Sequence, residues 1–380
     1  MSHATIDAIE TPALVLDVTK VERNVARLTG RLKSLGVGLR PHVKTAKSIE
    51  VATRLFPAGR GPITVSTIKE GEYFADAGFT DITYAVGVAP DKLGRLQALA
   101  ARGVDISVVL DTEDQARALA RARRTGGPMP AALIEIDCDG HRGGLPPDDP
   151  RVIAIAEILR EGGVELRGVL THAGESYACR GGVGLPEAAE AERAAAVAAA
   201  RLLRDHGHAS PVVSVGSTPT AHFARDLTGV TEVRAGVFMF FDLVMHGVGV
   251  CAIDDIAPSV LATVIGHKPE KGWVLVDAGW MAMSRDRGTA RHPVDQGYGL
   301  VCDVDGVPYP DLIVVETSQE HGVVAVRPGV DAKLPHLPIG ARVRILPNHA
   351  CATGSQHDQY RVVRSGSRAL VATWPRMRGW

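Results

Sequence analysis

Residues 38–48, GLRPHVKTAKS, carry a histidine and a lysine two positions apart in a run, 39–43, that reads as a short strand. Side chains alternate along a strand, so His42 and Lys44 share one side of the chain, with Lys44 where the strand ends and a helical run opens near Ser48. A lysine amine held among apolar and cationic groups loses basicity and becomes a usable nucleophile and base. A solvated loop lysine would do neither. A second stretch, 216–220, reads GSTPT. Gly216 lets backbone approach a ligand, Ser217 and Thr218 offer hydroxyls and amides, and Pro219 suits a helix start, so the stretch serves equally as a phosphate cradle or a plain helix cap. Gly236 adds another close approach on the next strand. A lysine together with a phosphate cradle suggests pyridoxal 5'-phosphate, whose aldehyde would form a Schiff base with Lys44 and whose ring is an electron sink. Arg142 then suits the ring hydroxyl and Tyr177 the ring face or nitrogen. Their ordinary alternatives are a surface salt bridge and a core aromatic.

A third stretch, Pro347-Asn348-His349-Ala350-Cys351, sets imidazole and thiol one residue apart, which an extended backbone would point the same way. Nitrogen plus sulfur suits zinc, with manganese, cobalt or magnesium as other divalent metals, and two ligands leave the open shell of a catalytic ion. A buried cysteine beside a loop histidine is the bland alternative. Gln319-Glu320-His321 offers a supporting partner or an acid–base group in His321. Trp280 and the run 283–291, MSRDRGTAR, form a polar arginine-rich loop that could receive an anionic substrate or simply be solvated.

Positioning these groups requires a repeating scaffold. Strand-like runs at 39–43, 63–66, 82–86, 106–110, 132–137, 166–172, 212–215 and 230–237 alternate with helix-like runs at 69–77, 92–102, 113–124, 151–161 and 186–204. Eight strands alternating with helices predict an α/β fold with an N-terminal (β/α)8 TIM-type barrel, whose sites lie at the strands' C-terminal ends. No G-x-G-x-x-G follows any strand, which counts against an open doubly wound sheet. After about Met245 short alternating runs at 260–265, 273–276, 312–316, 323–326, 342–346, 359–363 and 369–373 predict a C-terminal, mostly antiparallel β domain without convincing helices. The barrel is expected over 19–245, and residues 1–18 with 246–380 form the β domain that carries the metal motif. The first strand, 11–17, leads into a helix whose capping box would be Thr19 and Glu22.

Composition sets limits. With 380 residues the chain is long enough for two domains, and a formal net charge of −1 gives no bulk attraction for nucleic acid or membrane. No apolar run is long enough to span a bilayer, and the N-terminus has no signal-peptide pattern. Five scattered cysteines argue for a reducing cytoplasm rather than a disulfide framework.

Taken in order, RPHVKT, DGHR, THAGESY, GSTPT, EVRAG and PNHAC resemble the D-serine dehydratase and D-threonine aldolase family, pyridoxal phosphate enzymes of the alanine racemase-like fold type. The resemblance implies a homodimer in which Lys44, beside His42, carries the cofactor. Ser217, Thr218, Gly236 and Val237 would surround its phosphate, Tyr177 would face the pyridine nitrogen and Arg142 the ring hydroxyl. His349 and Cys351 would bind the divalent metal. In this family His-x-Cys goes with dehydration and His-x-Asp with aldol cleavage, so Cys351 points to a dehydratase of D-3-hydroxy amino acids, 3-hydroxyaspartate to oxaloacetate or serine to pyruvate, with ammonia. The other outcome is a metal-dependent aldolase. One departure is Phe238, where relatives often carry tyrosine.

Overall fold

The computed structural model describes residues 4–380. They divide into two compact units, Ala26–Gly236 with Gly379–Trp380, and the residues up to Val25 with Val237–Arg378.

The first unit is built on eight parallel strands: Gly38–Leu39, Ile63–Val65, Asp81–Gly87, Asp105–Leu110, Ala131–Ile136, Leu166–Thr171, Val212–Val215 and Glu232–Val233. From the second onward each pairs with the next, the eighth pairs with the first, and a parallel bridge between His42 and Thr64 closes the ring. The helices between them are set by local chemistry. Glu113–Arg124 opens on a capping box in which Thr112 and Gln115 satisfy each other's amides, and it ends on Arg121, Arg123 and Arg124, which complement its negative end. The helix Val18–Ser34 is capped differently from the sequence expectation. Asp17 Oδ1 accepts from the amides of Thr19 and Lys20 at 3.0 and 3.3 Å, because its carboxylate already sits at the strand end when the helix begins.

Two strands are shorter than expected. The run 39–43 is regular only over Gly38–Leu39, since Pro41 has no N–H to donate. The chain nevertheless stays in register: the Arg40 amide donates to Val233 O, the His42 amide to Ala235 O and the Val43 amide to Thr64 O. The last strand is Glu232–Val233 rather than 230–237. Inside the barrel Val109, Leu133 and Leu170 form an apolar layer with Ala85 and Val212 against it. A polar file crosses the same interior. Arg40 pairs with Asp81 at 2.6 Å and with Glu232 at 2.7 Å; the Ser214 hydroxyl donates to Glu232 and accepts from Arg234, which in turn donates to Thr171 O at 2.6 Å. The file ties the start of the third strand to the mouth of the sixth.

Gly216 ends the seventh strand where no side chain fits, since a Cβ there would lie 1.7 Å from Arg234 O. Gly216→Ala is expected to cost about 3 kcal/mol or more, because backbone rather than a flexible side chain must yield. Urea denaturation reads this directly, and an unchanged midpoint would refute the close approach.

The second unit is a nine-stranded sheet. Six strands, Pro258–Lys268, Trp273–Val276, Gly322–Val326, Pro308–Thr317, Leu300–Cys302 and Arg342–Leu346, form a closed antiparallel ring around Val260, Val276, Val301, Leu312, Val314 and Val343. Ala13–Asp17 adds to the Pro258–Lys268 edge, pairs in parallel with Gln359–Val363, and is followed by Ala372–Pro375. The three-residue strand Leu300–Cys302 and the short helices Leu243–Val248, Trp280–Met283 and Ala350–Gly354 were not expected from the residue pattern. Two of these helices flank the metal motif. Among the described residues no helix is long and apolar enough to cross a membrane.

Candidate functional site

The barrel mouth gathers most of the cofactor candidates. Residues beyond Val43 leave the strand in a turn, closed by the Lys47 amide on Val43 O at 2.8 Å. Strand alternation therefore does not relate His42 to Lys44, as the sequence suggested. They are neighbours because the Lys44 amide points at His42 Nδ1, 3.5 Å away. Lys44 is exposed rather than sunk in an apolar pocket, and it makes no ion pair among the described residues. Lys47, three positions on, has its amine 2.9 Å from Glu70 Oε1, a carboxylate with no exposure. Of the two lysines, Lys44 has the uncommitted amine.

Two imidazoles back this lysine. Desolvation pushes His42 well below the ordinary histidine value, helped by the positive charges of Lys44 and Arg234. His172 is pushed down to about 3 by burial, although its ring donates from Nδ1 to Gly216 O, 2.7 Å away, an interaction that raises it. A neutral His172 must donate from Nδ1 to that carbonyl, leaving Nε2 an acceptor. Tyr177 sits in the 3-10 turn Glu175–Ala178 with its ring 6.2 Å from that of His172. Arg142 is largely exposed, 3.9 Å from Glu135. Arg234, unassigned from sequence, is a fully enclosed cation whose loss of water lowers it to about 10.

The phosphate expectation can be tested on the wall opposite. Ser217 caps the helix Thr218–Phe223 by accepting from the Thr220 amide, and its hydroxyl meets that of Ser176 at 2.9 Å. The Thr218 hydroxyl is buried and has no partner among the described residues. A Cβ on Gly236 would lie 3.0 Å from His42 O and 3.2 Å from Thr45 Oγ1, so the segment just past the last strand presses against the Lys44 turn. An orphaned hydroxyl and a glycine-flattened wall fit a phosphate-bearing aldehyde. The chain also supplies a support that sequence reasoning missed. Glu192, fully buried on the helix Leu185–Asp205, accepts from the amides of Ala173 and Gly216 at 2.9 and 3.0 Å and from the Thr220 hydroxyl at 2.6 Å. A glutamate in an alanine-rich helix carries no signal of that role.

In the other unit, His349 is the extended cap residue of Ala350–Gly354, and Cys351 lies within that helix. The two do not alternate along a strand as expected; a helix start brings them together instead. His349 Nδ1 is 2.9 Å from Asp286 Oδ2, a partner 63 positions away that the sequence did not reveal. Burial opposes a charge on His349, yet Asp286, Cys351 and Asp242 together raise it to about 11. A spot where acceptors crowd an imidazole favours positive charge, and its nitrogen–sulfur donors fit a divalent metal. Asp242 anchors the arrangement by accepting from the amides of Ala350 and Met245, both at 2.9 Å. Among the described residues no third His, Cys, Asp or Glu joins His349 and Cys351 as a metal cluster. His321 lies exposed in the turn before Gly322–Val326, where its carbonyl accepts from the Ser318 amide at 2.8 Å. Val237 opens the 3-10 turn Val237–Met239, in which Phe238 is wholly buried.

A parallel barrel with an uncommitted lysine at its mouth, followed in the chain by an antiparallel unit with a His-x-Cys pair, defines an alanine racemase-like protein. Residues 16–244 match the family described as alanine racemase, N-terminal domain, and residues 257–363 the putative serine dehydratase domain; the chain belongs to this family. It is 52% identical over 379 residues to the D-threo-3-hydroxyaspartate dehydratase of Delftia sp. (strain HT23), covering 99% of each. It is 32% identical over 369 residues to the D-threonine aldolase of Arthrobacter sp., covering 94% of this chain and 90% of that one. Among solved structures, a histidine-to-alanine mutant of D-threo-3-hydroxyaspartate dehydratase superposes with a TM-score of 0.96 at 50% identity, covering 100% of this chain and 97% of that one. A cysteine-to-alanine mutant in the metal-free form gives the same score and identity, with 99% and 100% covered. The two mutated positions are two apart, the spacing of His349 and Cys351.

Proposed function

We propose that this chain is a pyridoxal phosphate- and divalent metal-dependent lyase that dehydrates D-3-hydroxy amino acids, with D-threo-3-hydroxyaspartate giving oxaloacetate and ammonia and D-serine giving pyruvate. One observation carries the reading: a single chain holds an uncommitted amine, Lys44, a buried unpartnered hydroxyl on Thr218, and the nitrogen–sulfur donor pair His349 and Cys351. The similarity to D-threo-3-hydroxyaspartate dehydratase supports it.

Lys44 would anchor the cofactor, Ser217, Thr218, Gly236 and Val237 would hold its phosphate, and Arg142 and Tyr177 would orient its ring, with His42 behind it. His349 and Cys351 would hold the metal, zinc first among the candidates, with Asp286 fixing the imidazole's orientation. The cofactor supplies an electron sink for the bond at Cα, and the metal a Lewis acid for the 3-hydroxyl. The chain's own task is proton management. Lys44 Nζ takes the proton from Cα, while His42 and His172, held neutral, do not compete for it. The enamine left after hydroxide departs hydrolyses to the 2-oxo acid and ammonia. His321 would serve as a supporting partner or an acid–base group.

The barrel, 19–245, is read as the cofactor domain and the remaining residues as the metal domain of a cytoplasmic homodimer. Five cysteines without a disulfide are consistent with a reducing compartment, and light scattering of the purified protein tests the dimer.

A second reading rests on the D-threonine aldolase relative. The same groups would then cleave Cα–Cβ. Incubation with D-threo-3-hydroxyaspartate, D-serine and D-threonine, with and without chelator, separates the two. Chelator-sensitive ammonia release is the expected result; glycine and an aldehyde without ammonia would establish the aldolase.

A further inference from the structure

Three arginines follow the helix Trp280–Met283, and the structure distinguishes them. Arg287 is spent: it bonds Asp295 at 2.7 Å and lies over the Tyr298 ring at 4.9 Å. Arg291 is exposed and its side chain is held by no hydrogen bond, ion pair or ring contact among the described residues. Arg285 alone is both placed and uncommitted. Its guanidinium lies over the Trp280 ring at 4.4 Å, and no carboxylate pairs with it among the described residues. Stacking on a ring occupies the flat face and leaves the N–H edge free for a two-pronged grip on a carboxylate.

The segment around it is clamped on both sides to the metal motif. Thr353 Oγ1 donates to Met283 O at 2.7 Å, and Asn348 Nδ2 donates to Asp286 O at 3.0 Å. Asp286 itself bonds His349, and Thr289 Oγ1 donates to Asn348 Oδ1 at 3.0 Å. Trp280, the platform, is fixed by its amide on Ser318 O at 3.0 Å. Between these clamps Ser284 adopts φ +75°, a conformation costly for a residue with a Cβ. The strain turns the chain out of the helix at the residue before Arg285. A strained, doubly clamped turn that ends in an unpaired guanidinium is a preorganised anion reader.

We propose that Arg285 reads the distal carboxylate of the substrate, so that the site is built for 2-amino-3-hydroxy dicarboxylates in preference to D-serine. The inference rests on the reading of His349 and Cys351 as the groups that address the 3-hydroxyl. The carbon bearing that hydroxyl is bonded directly to the second carboxyl carbon, and Arg285 is the chain neighbour of the residue that orients His349.

Steady-state ammonia release should be compared for wild type, Arg285→Lys and Arg285→Met, since methionine keeps apolar cover on Trp280. Arg285→Met is expected to lower kcat/KM for D-threo-3-hydroxyaspartate about 100-fold, with a loss on D-serine at least about tenfold smaller, and Arg285→Lys to fall between. Equal losses on both substrates, or no loss on either, would overturn the proposal. Calorimetry on the same holoenzymes with meso-tartrate, and D-glycerate as the monocarboxylate control, reports on Arg285 even if the chain proves an aldolase. Tartrate should bind the methionine variant at least about tenfold more weakly, with glycerate little changed. Tartrate binding that is equal in the two proteins, or absent from both, would overturn it.

Discussion

Lys44→Ala is expected to abolish the visible absorbance of the protein-bound cofactor and to lower ammonia release about 10,000-fold or more, because covalent anchoring and proton transfer are lost together. The geometry makes the expectation specific to one lysine. Lys47 lies in the same turn, but its amine is bound to the unexposed carboxylate of Glu70, which also accepts from the Ser66 amide and hydroxyl. Removing Lys47 would strand that carboxylate, so Lys47→Met should lower stability while cofactor absorbance persists. Borohydride reduction of the holoenzyme followed by mass spectrometry of the peptide should locate the pyridoxyl group on Lys44. A label on Lys47, or full activity in Lys44→Ala, would remove Lys44 from the mechanism.

The second large effect concerns Glu192. Leucine at this position would leave the amides of Ala173 and Gly216 buried without an acceptor, at roughly 1–3 kcal/mol each, so Glu192→Leu should lose about 2–6 kcal/mol of unfolding free energy. Glutamine keeps an oxygen for both amides and can donate to Thr220, and should lose about 1 kcal/mol or less. Burial raises the Glu192 carboxyl above its ordinary value, ahead of the opposing bonds from Thr220, Ala173 and Gly216. The sign of the pH effect follows. Between the ordinary glutamate value and the raised folded value, the folded chain keeps a proton that the unfolded chain has released, so wild-type stability declines as pH rises through that window. Glu192→Gln has no such group and should lack that decline. Equal stability of the leucine and glutamine variants in urea would show that the two amides are satisfied by other means.

The alternation of strands and helices was legible because each period announces itself over several residues, and the eight barrel strands fall where it places them. Lys44, Ser217, Thr218 and Gly236 drew attention on the same basis, as residues just beyond the ends of such strands. Failures arose where one residue overrode a pattern. Pro41 cut short a run of good strand formers, so the shared side inferred for His42 and Lys44 had no strand beneath it. His349 and Cys351 read as extended, yet a five-residue helix starts between them, held from outside by Asp242 and the Met283 carbonyl. Asp286 and Glu192 could not be seen at all, because their partners lie far away in the chain and a carboxylate in a polar loop or an alanine-rich helix looks like ordinary solvated surface.

The strand Ala13–Asp17 bears on how the protein is made. It is synthesised well before both its neighbours in the sheet, Pro258–Lys268 and Gln359–Val363. At about 5–20 residues per second the interval is on the order of tens of seconds, long enough for the barrel to form while this apolar ribbon waits unpaired. Until then it presents two open hydrogen-bonding edges, the condition that invites association with other nascent chains. The early strand is therefore where a chaperone acting on nascent chains would have most to protect.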